Sequence, residues 1–328
     1  MIQSKFRSGD RVKSNRLLSN RIEGHAAPIF IVGSGRSGTT LMQAYIGAHT
    51  DVLTFPETNY VGHAVGDHMT RVFCQKKNRW SWRTHARSAR IALGYSTRAL
   101  RRLMDLTLSA LEQLDRENPI PSLPIKTRSA IRLWARTLDQ ICEDLGKRCW
   151  LEKTPMHVGY IEEILDALPD ARFVHLLRDP EAVVASMIDA SQKYPAWTGY
   201  SDVAHCLEIW NKCVGFTSKY AGSQGHFVIR YEDFIADPEG GLNAVFRFCH
   251  LSTVPFNRIE AARRGIAEAV SSPSEPWKKK VGGTLQNLNK ASSLLSDADR
   301  EYISGNAVSL PPSSWSPGDE QRGSSAHS

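Results

Sequence analysis

A run of glycine and hydroxyl-bearing residues follows a short apolar segment near the start of the sequence. The apolar segment is Ile29 to Val32, and the run after it reads Gly33-Ser34-Gly35-Arg36-Ser37-Gly38-Thr39-Thr40. Glycines let a backbone approach an anion closely, and the N–H groups at the start of a helix point towards that anion. The pattern therefore predicts a strand, a phosphate-binding loop and a helix, in that order.

The spacing of Gly33 and Gly38 matches the P-loop pattern G-x-x-x-x-G-K-[ST], but the residue at the lysine position differs. Thr39 stands where that pattern has its lysine, and Arg36 supplies a cation inside the loop instead. We expect a phosphorylated nucleotide to bind here in a way that differs from an ordinary ATPase. The loop alone leaves one alternative open, a tight turn that holds no ligand.

Composition limits the classes of protein to which the chain can belong. Its 328 residues are 41% hydrophobic, which is ordinary for a globular protein with a large core. The net charge of +7 suits anionic ligands without indicating nucleic acid. The six cysteines contain no CxxC pair, so the sequence supports neither a metal site nor a disulfide framework.

The sequence lacks the patterns typical of a membrane-spanning helix and of a secretory signal. No apolar run approaches the roughly 20 residues that a membrane-spanning helix needs. The first 27 residues are polar and basic, without the apolar centre of a secretory signal. We therefore expect a cytoplasmic protein.

Apolar periodicity divides the rest of the chain into alternating strands and helices. Besides the first strand, strands are predicted over 149–151, 171–177 and 226–230, with helical patterns between them. Such alternation predicts an α/β fold, a P-loop-like doubly wound parallel sheet flanked by helices. Ligands of such sheets bind at the carboxyl ends of the strands. We expect the first strand to lie in the centre.

The sequence also predicts how the chain is divided. Residues 1–27 form a basic, flexible arm, and residues 28–308 form a single domain. Within that domain, 59–146 is a helical insertion, and its stretch 71–102 has many Lys and Arg residues but no Asp or Glu. The last segment, 309–328, is rich in Ser, Pro and Gly and is expected to be a disordered tail.

Four motifs, in this order, resemble those of the sulfotransferases that use 3′-phosphoadenosine 5′-phosphosulfate (PAPS). The first is GSGRSGTTL, in the form usual for bacterial members and for protein-tyrosine sulfotransferases. The others are Glu152-Lys153-Thr154-Pro155, LLRDPEAVVAS ending at Ser186, and Arg230-Tyr231-Glu232-Asp233-Phe234. The resemblance extends from Pro28 to about Asn289.

The resemblance implies one anion site for each end of the nucleotide. The loop from Gly33 to Thr40 would hold the 5′ end, and Arg178 and Ser186 would hold the 3′-phosphate. Tyr231 and Lys153 would contact the same nucleotide. Arginine suits this task because its guanidinium can bind phosphate through two parallel hydrogen bonds. The alternative for Arg178 is a local ion pair with Asp179 at the start of the next helix.

The resemblance also implies the catalytic groups. Sulfuryl transfer is expected to be in line with a loose transition state, so fixed cations can neutralise the leaving phosphate without a metal ion. Arg36 and Lys153 are the candidate cations. Glu57 resembles the glutamate base of protein-tyrosine sulfotransferases and is the preferred base. His157 is the competing base, because cytosolic members place a histidine shortly after their lysine.

The resemblance therefore implies a sulfotransferase that uses PAPS as co-substrate and releases PAP. The acceptor would be a hydroxyl group of a glycan, a lipid-linked sugar or a small molecule, with tyrosine in an acidic peptide left open. The positive charge of the insertion favours an anionic acceptor. The sequence reveals neither the identity of that acceptor nor the oligomeric state.

Two other functions compete with this interpretation. One is a P-loop kinase or NTPase, which the replacement of lysine by Thr39 and the lack of an acidic metal site disfavour. The other is a nucleic-acid-binding protein that uses the basic stretch 71–102, where Trp80, Trp82 and Tyr95 could stack on bases. A basic helical face is more often a solvated surface or the rim of a site for acidic substrates.

Overall fold

A computed structural model of the chain describes residues 26–67, 71–73, 82–97, 99–123, 125–194, 199–271 and 291–315. Most of the predicted basic arm and the predicted tail from residue 316 onwards therefore lie outside the described residues. The same applies to 74–81 and 98 within the basic stretch.

Five parallel strands form the sheet in the described part of the chain. They are β1 (Ile29–Gly33), β2 (Val52–Thr54), β3 (Cys149–Lys153), β4 (Arg172–Leu177) and β5 (His226–Arg230). Their order is β2-β3-β1-β4-β5, and every neighbouring pair is parallel. Strand β1 is central and fully buried, as its continuous apolar run predicts. The predicted fold class is confirmed.

Helices pack on both faces of the sheet. They are α1 (Thr39–Gly47), α2 (Tyr60–Val65), α3 (Trp82–Ala92), α4 (Leu100–Ala110), α5 (Thr127–Asp144), α6 (Ile161–Ala167), α7 (Pro180–Lys193), α8 (Val203–Tyr220), α9 (Tyr231–Ala236), α10 (Pro238–Phe248), α11 (Phe256–Ala269), α12 (Ala291–Leu294) and α13 (Asp297–Asn306). A 3-10 helix, Pro155–Tyr160, follows β3. Helices α2 to α5 lie between β2 and β3, in the segment predicted to be an insertion. No helix among the described residues is long and apolar enough to cross a bilayer.

Alternate side chains of β1 enter two separate apolar clusters. On one face, the ring of Phe30 lies 5.5 Å from the rings of both Trp150 and Phe173. On the other face, Ile29 and Ile31 pack with residues of α1 and α10. Burial of each large apolar side chain contributes about 1.5–3 kcal/mol. The two clusters therefore fix β1, and with it the loop that follows.

Residues 309–315 differ from the predicted tail. The backbone N–H of Ser314 donates to the Val228 carbonyl at 2.7 Å, and the Val228 N–H donates to the Ser314 hydroxyl at 3.1 Å. Trp315 is buried. Backbone hydrogen bonds and a buried indole therefore hold this segment along β5, although its composition is typical of disorder.

Candidate active site

The glycine-rich loop joins the carboxyl end of β1 to α1. Gly33 and Gly38 have positive φ angles of 146° and 93°. A Cβ atom at Gly33 would lie 2.3 Å from the Leu176 carbonyl oxygen, and one at Gly38 would lie 2.6 Å from the Tyr231 ring. Both positions therefore require glycine, because the loop backbone runs directly against β4 and the start of α9.

The loop hydroxyls are buried. Ser34 donates to the Gly35 carbonyl oxygen at 3.2 Å. The Ser37 hydroxyl is buried and has no hydrogen-bond partner among the described residues. Leaving such a group unsatisfied costs about 1–3 kcal/mol. Helix α1 begins at Thr39 without a side-chain cap, so its first N–H groups face the same loop. Both features fit an anion held in the loop.

Arg178 follows β4 and turns towards the loop. Its Nη1 donates to the Arg36 carbonyl oxygen at 3.3 Å, and its guanidinium lies 4.3 Å from the centre of the Tyr231 ring. Its Nε is buried without a hydrogen-bond partner in the described part of the chain. The neighbouring Asp179 caps α7 by accepting from the Ala182 N–H at 3.0 Å. Arg178 thus faces the loop while Asp179 caps the helix.

The side chain of Arg36 reaches α7. Arg36 has a left-handed φ of 70°, and its Nε donates to the Ser186 hydroxyl at 3.1 Å. Burial lowers the pKa of Arg36, and the nearby Asp189 carboxylate opposes that shift. Arg36 therefore lies beside the two residues predicted for the 3′-phosphate, whereas the sequence predicted it at the 5′ end of the nucleotide.

Lys153 and Glu57 form an ion pair across neighbouring strands. Lys153 ends β3, Glu57 lies in the loop after β2, and the Nζ–Oε2 distance is 2.6 Å. The Lys153 side chain is fully buried, whereas that of Glu57 is 21% exposed. A buried ammonium group needs a partner to offset its loss of hydration. Glu57 is therefore the member of the pair that solvent or a ligand can reach.

A second carboxylate, Glu152, is buried beside this pair. Its Oε1 accepts from the hydroxyls of Thr58 at 3.0 Å and Thr154 at 2.6 Å, and its Oε2 accepts from His157 Nδ1 at 3.0 Å. Burial raises the pKa of Glu152, but the nearby His157 and the hydrogen bonds outweigh burial and hold that pKa below its usual value. Glu152 is therefore an ionised acceptor in the interior.

His157, the competing base of the sequence analysis, is fully buried. Its ring centre lies 6.4 Å from that of Phe30 and 6.5 Å from that of Tyr160. Its Nε2 is buried without a hydrogen-bond partner among the residues described. A general base must reach the proton that it removes. The exposure of Glu57 and the burial of His157 therefore favour Glu57.

Sequence reasoning missed three residues that hold the Glu57 loop. Gln43 on α1 donates to the Thr54 hydroxyl at 2.9 Å and to the Phe55 carbonyl oxygen at 2.8 Å. Thr58 and Glu152 hold the other end of the loop. One signal was available, because a carboxylate in the buried strand CWLEK needs a partner. Nothing in the sequence marks Gln43 or Thr58.

The predictions about nucleic acid and metal stay predictions. Lys126 Nζ lies 4.1 Å from the centre of the Tyr95 ring, so a cation already covers this ring. Trp80 and the side chain of Trp82 lie outside the described residues. Across the described ranges, no group of three or more His, Cys, Asp and Glu side chains could hold a metal ion.

Comparison with known protein families identifies the class of protein to which the chain belongs. The model of the sulfotransferase family matches residues 28–255, which is well over half of the chain. The chain therefore belongs to the sulfotransferase family, as the four motifs predicted.

Individual relatives are distant. The omega-hydroxy-beta-dihydromenaquinone-9 sulfotransferase Stf3 of Mycobacterium tuberculosis is 26% identical over 130 residues, which cover 36% of this chain and 33% of that protein. The protein-tyrosine sulfotransferase of Drosophila melanogaster is 24% identical over 234 residues, which cover 70% of this chain and 38% of that protein. The match thus covers about a third of the length of the first relative and less than two-fifths of the second.

Solved structures of sulfotransferases are also similar to this chain. The sulfotransferase domain from the curacin biosynthetic pathway is 17% identical, with a TM-score of 0.49, and the match covers 89% of this chain and all of that domain. A mouse sulfotransferase complexed with PAP is 11% identical, with a TM-score of 0.45, and the match covers 91% of this chain and 88% of that one.

Proposed function

We propose that this protein transfers a sulfuryl group from PAPS to a hydroxyl group of an acceptor. One observation carries the proposal: three groups lie at the carboxyl ends of three adjacent strands. They are the glycine-rich loop after β1, Arg178 after β4, and the Lys153–Glu57 pair at β3. Open α/β sheets bind ligands in this position. Membership of the sulfotransferase family supports the same reaction.

The described residues fit a nucleotide with two separated anionic groups. Gly33 and Gly38 let the loop backbone pack directly against Leu176 and Tyr231, and this packing brings the loop beside Arg178. The Ser37 hydroxyl and the Arg178 Nε are buried polar atoms that such a ligand would satisfy. Ser186 would bind the 3′-phosphate together with Arg178. Arg36 already contacts Ser186 and supplies a second cation there.

The chemistry of the proposed transfer falls to Glu57 and Lys153. Bound PAPS supplies the activated sulfuryl group. The oxygen of the acceptor hydroxyl would form a bond to sulfur while the bond between sulfur and the phosphate oxygen breaks. Glu57 would take the proton that the acceptor hydroxyl loses in this step. Lys153 would neutralise the negative charge that the leaving phosphate gains. No step in this scheme requires a metal ion.

The acceptor that we propose is a glycan, a lipid-linked sugar or another hydroxylated molecule with negative charge. The insertion carries exposed arginines on α3 and α4, among them Arg87, Arg101 and Arg102, and these would attract an anion. The names of these two relatives refer to a hydroxylated menaquinone and to protein tyrosine, and both are hydroxyl acceptors.

Two measurements test the function. Calorimetry with PAP, in buffer containing EDTA, is expected to show binding that added Mg²⁺ does not change. Transfer of labelled sulfate from PAPS to a panel of whole-cell metabolites is then expected to label the acceptor. Binding of Mg-ATP without binding of PAP would instead indicate a kinase or NTPase. Steeply salt-dependent RNA or DNA binding would favour the nucleic-acid alternative.

A further inference from the structure

Strand β3 contacts the Glu57 loop with two consecutive side chains. Lys153 binds Glu57 directly. The preceding residue, Glu152, is fully buried and binds Thr58, the residue after Glu57. Successive side chains of a strand point to opposite faces of the sheet. The end of β3 therefore holds this loop from two directions.

Each hydroxyl that donates to Glu152 also accepts from a backbone N–H group. Thr58 Oγ1 accepts from the Tyr60 N–H at 3.1 Å, and Thr154 Oγ1 accepts from the Asn59 N–H at 3.1 Å. An ionised carboxylate can only accept hydrogen bonds, so it fixes the direction in which both hydroxyls donate. Two hydroxyls thus link one buried charge to the backbone at the start of α2.

These hydrogen bonds hold the backbone at the start of α2. Asn59 has a left-handed φ of 53°, a conformation that asparagine adopts more readily than most residues other than glycine. Asn59 is also the N-cap residue of α2, and its side chain makes no capping hydrogen bond. The hydrogen bonds to Thr58 and Thr154 therefore take the place of a cap. The shape of the turn directly after Glu57 depends on them.

We infer that Glu152 is a positioning residue, which acts through Thr58 and Thr154 to hold Glu57 against Lys153. The inference rests on the proposed function, because it assigns Glu152 to the geometry of the proposed base. Gln43 holds the start of the loop and Glu152 holds its end, so Glu57 lies between two fixed points. His157 then has a different role from that of a base, since it satisfies the second oxygen of Glu152.

The test uses Thr58→Val, which keeps the shape of the side chain and removes only the hydroxyl. Water serves as the acceptor, and the measurement is the release of labelled sulfate from PAPS. We expect a rate about 10- to 100-fold below wild type, because a shift of about 1 Å in a reacting group costs roughly 10²-fold. PAP affinity, measured by calorimetry, is expected to stay within about twofold, because Thr58 lies outside the groups assigned to the nucleotide. Thr137→Val is the matched control, since this buried hydroxyl donates within α5 to the Leu133 carbonyl oxygen.

A double-mutant cycle separates positioning from general damage to the fold. In a Glu57→Gln background, Thr58→Val is expected to have no further effect on the rate, because the residue through which it acts has already lost its function. Glu152→Gln provides a second variant. It is also expected to lower the rate in the wild-type background and to have no further effect in the Glu57→Gln background. A wild-type rate in Thr58→Val would overturn the inference. An equal loss in the Glu57→Gln background would also overturn it, because the effect would then not pass through Glu57.

The outcomes also separate this inference from the proposed function. A wild-type chain that neither binds PAP nor releases sulfate would refute both. A chain that binds PAP but transfers no sulfate from PAPS, either to water or to any acceptor in the metabolite panel, would refute the assignment of Glu57 as the base that Glu152 positions, and it would leave nucleotide binding intact. A fully active Thr58→Val variant would refute the inference alone.

Discussion

The Lys153 ammonium lies 2.6 Å from the Glu57 carboxylate, and the two side chains differ sharply in exposure. Lys153 belongs to the interior, whereas part of Glu57 faces solvent. The proposed base, Glu57, is therefore in direct contact with Lys153, the cation proposed to neutralise the leaving phosphate. Their contributions to transfer can be separated by measuring binding and rate independently.

Replacement of Glu57 by glutamine is expected to abolish most sulfate transfer and to spare PAP binding. Glutamine is nearly isosteric and can still accept a hydrogen bond from Lys153, but it cannot take the proton of the acceptor. A positioned general base contributes about 10²–10⁴-fold, so single-turnover rates should fall by that factor. Glu208→Gln, on an exposed face of α8, is the control. Loss of rate in His157→Ala but not in Glu57→Gln would assign the base to His157.

Replacement of Lys153 by alanine is expected to lower the transfer rate more than it lowers PAPS affinity. The bridging oxygen gains charge mainly in the transition state, so a cation directed at it acts there selectively. Arg36→Ala is expected to reduce affinity and rate together, because Arg36 belongs to the nucleotide-binding loop and contacts Ser186 before any reaction. Titrations and single-turnover rates on both variants check this. Equal losses of PAPS affinity and transfer rate in Lys153→Ala would show that Lys153 only binds phosphate.

Arg178→Ala and Ser186→Ala are expected to weaken PAP binding and to leave AMP binding nearly unchanged. AMP lacks the 3′-phosphate that these residues are proposed to hold. Loss of a hydrogen bond to a charged group costs about 1.5–3 kcal/mol, which corresponds to a roughly 10- to 150-fold change in the dissociation constant. Calorimetry with both nucleotides, in the presence of EDTA, gives the comparison. A parallel loss of AMP affinity would contradict the assignment.

The sequence predicts the sheet better than the site, for physical reasons that particular residues illustrate. The apolar run HFVIR coincides with β5, because a strand buried on both faces has a continuous apolar pattern. Strand β2 was missed because Val52–Thr54 is too short for any pattern. The Glu57–Lys153 contact was not predictable, because it requires β2 to pair with β3. The paired residues of these two strands are almost a hundred positions apart in the sequence. The burial of His157 depends on its partner Glu152 and on the 3-10 helix after Thr154.

Acid is expected to destabilise the fold through two histidines outside the site. His175 Nε2 and His226 Nδ1 share a hydrogen bond of 3.0 Å. Burial, assisted by His226, lowers the pKa of His175 to about 3, and burial lowers the pKa of His226 to about 4. Below a pH of about 6.5 the unfolded chain takes up protons that the folded chain does not, so stability falls as pH falls towards 4.

Thermal unfolding between pH 7 and pH 4.5 tests this expectation. The ring of His226 stacks between Phe173 and Tyr220, so His226→Phe retains the stacking and removes one titrating group. As the pH is lowered, the free energy of unfolding of this variant should fall less steeply than that of the wild type. The two slopes should differ by up to about 1.4 kcal/mol per pH unit. Equal slopes for the two proteins would show that His226 already binds its proton in the folded state.

The segment that carries Ser313 and Ser314 has a consequence for solubility. In the described sheet β5 pairs only with β4, and both polar groups of the Val228 backbone are taken up by this segment. An unpaired strand edge is a template on which another chain can add a strand. The indole of Trp315 covers the adjoining surface of Gly241. The segment thus covers the open edge of β5 at Val228, and we expect a chain shortened before Ser313 to aggregate more readily while the residues of the candidate site keep their places.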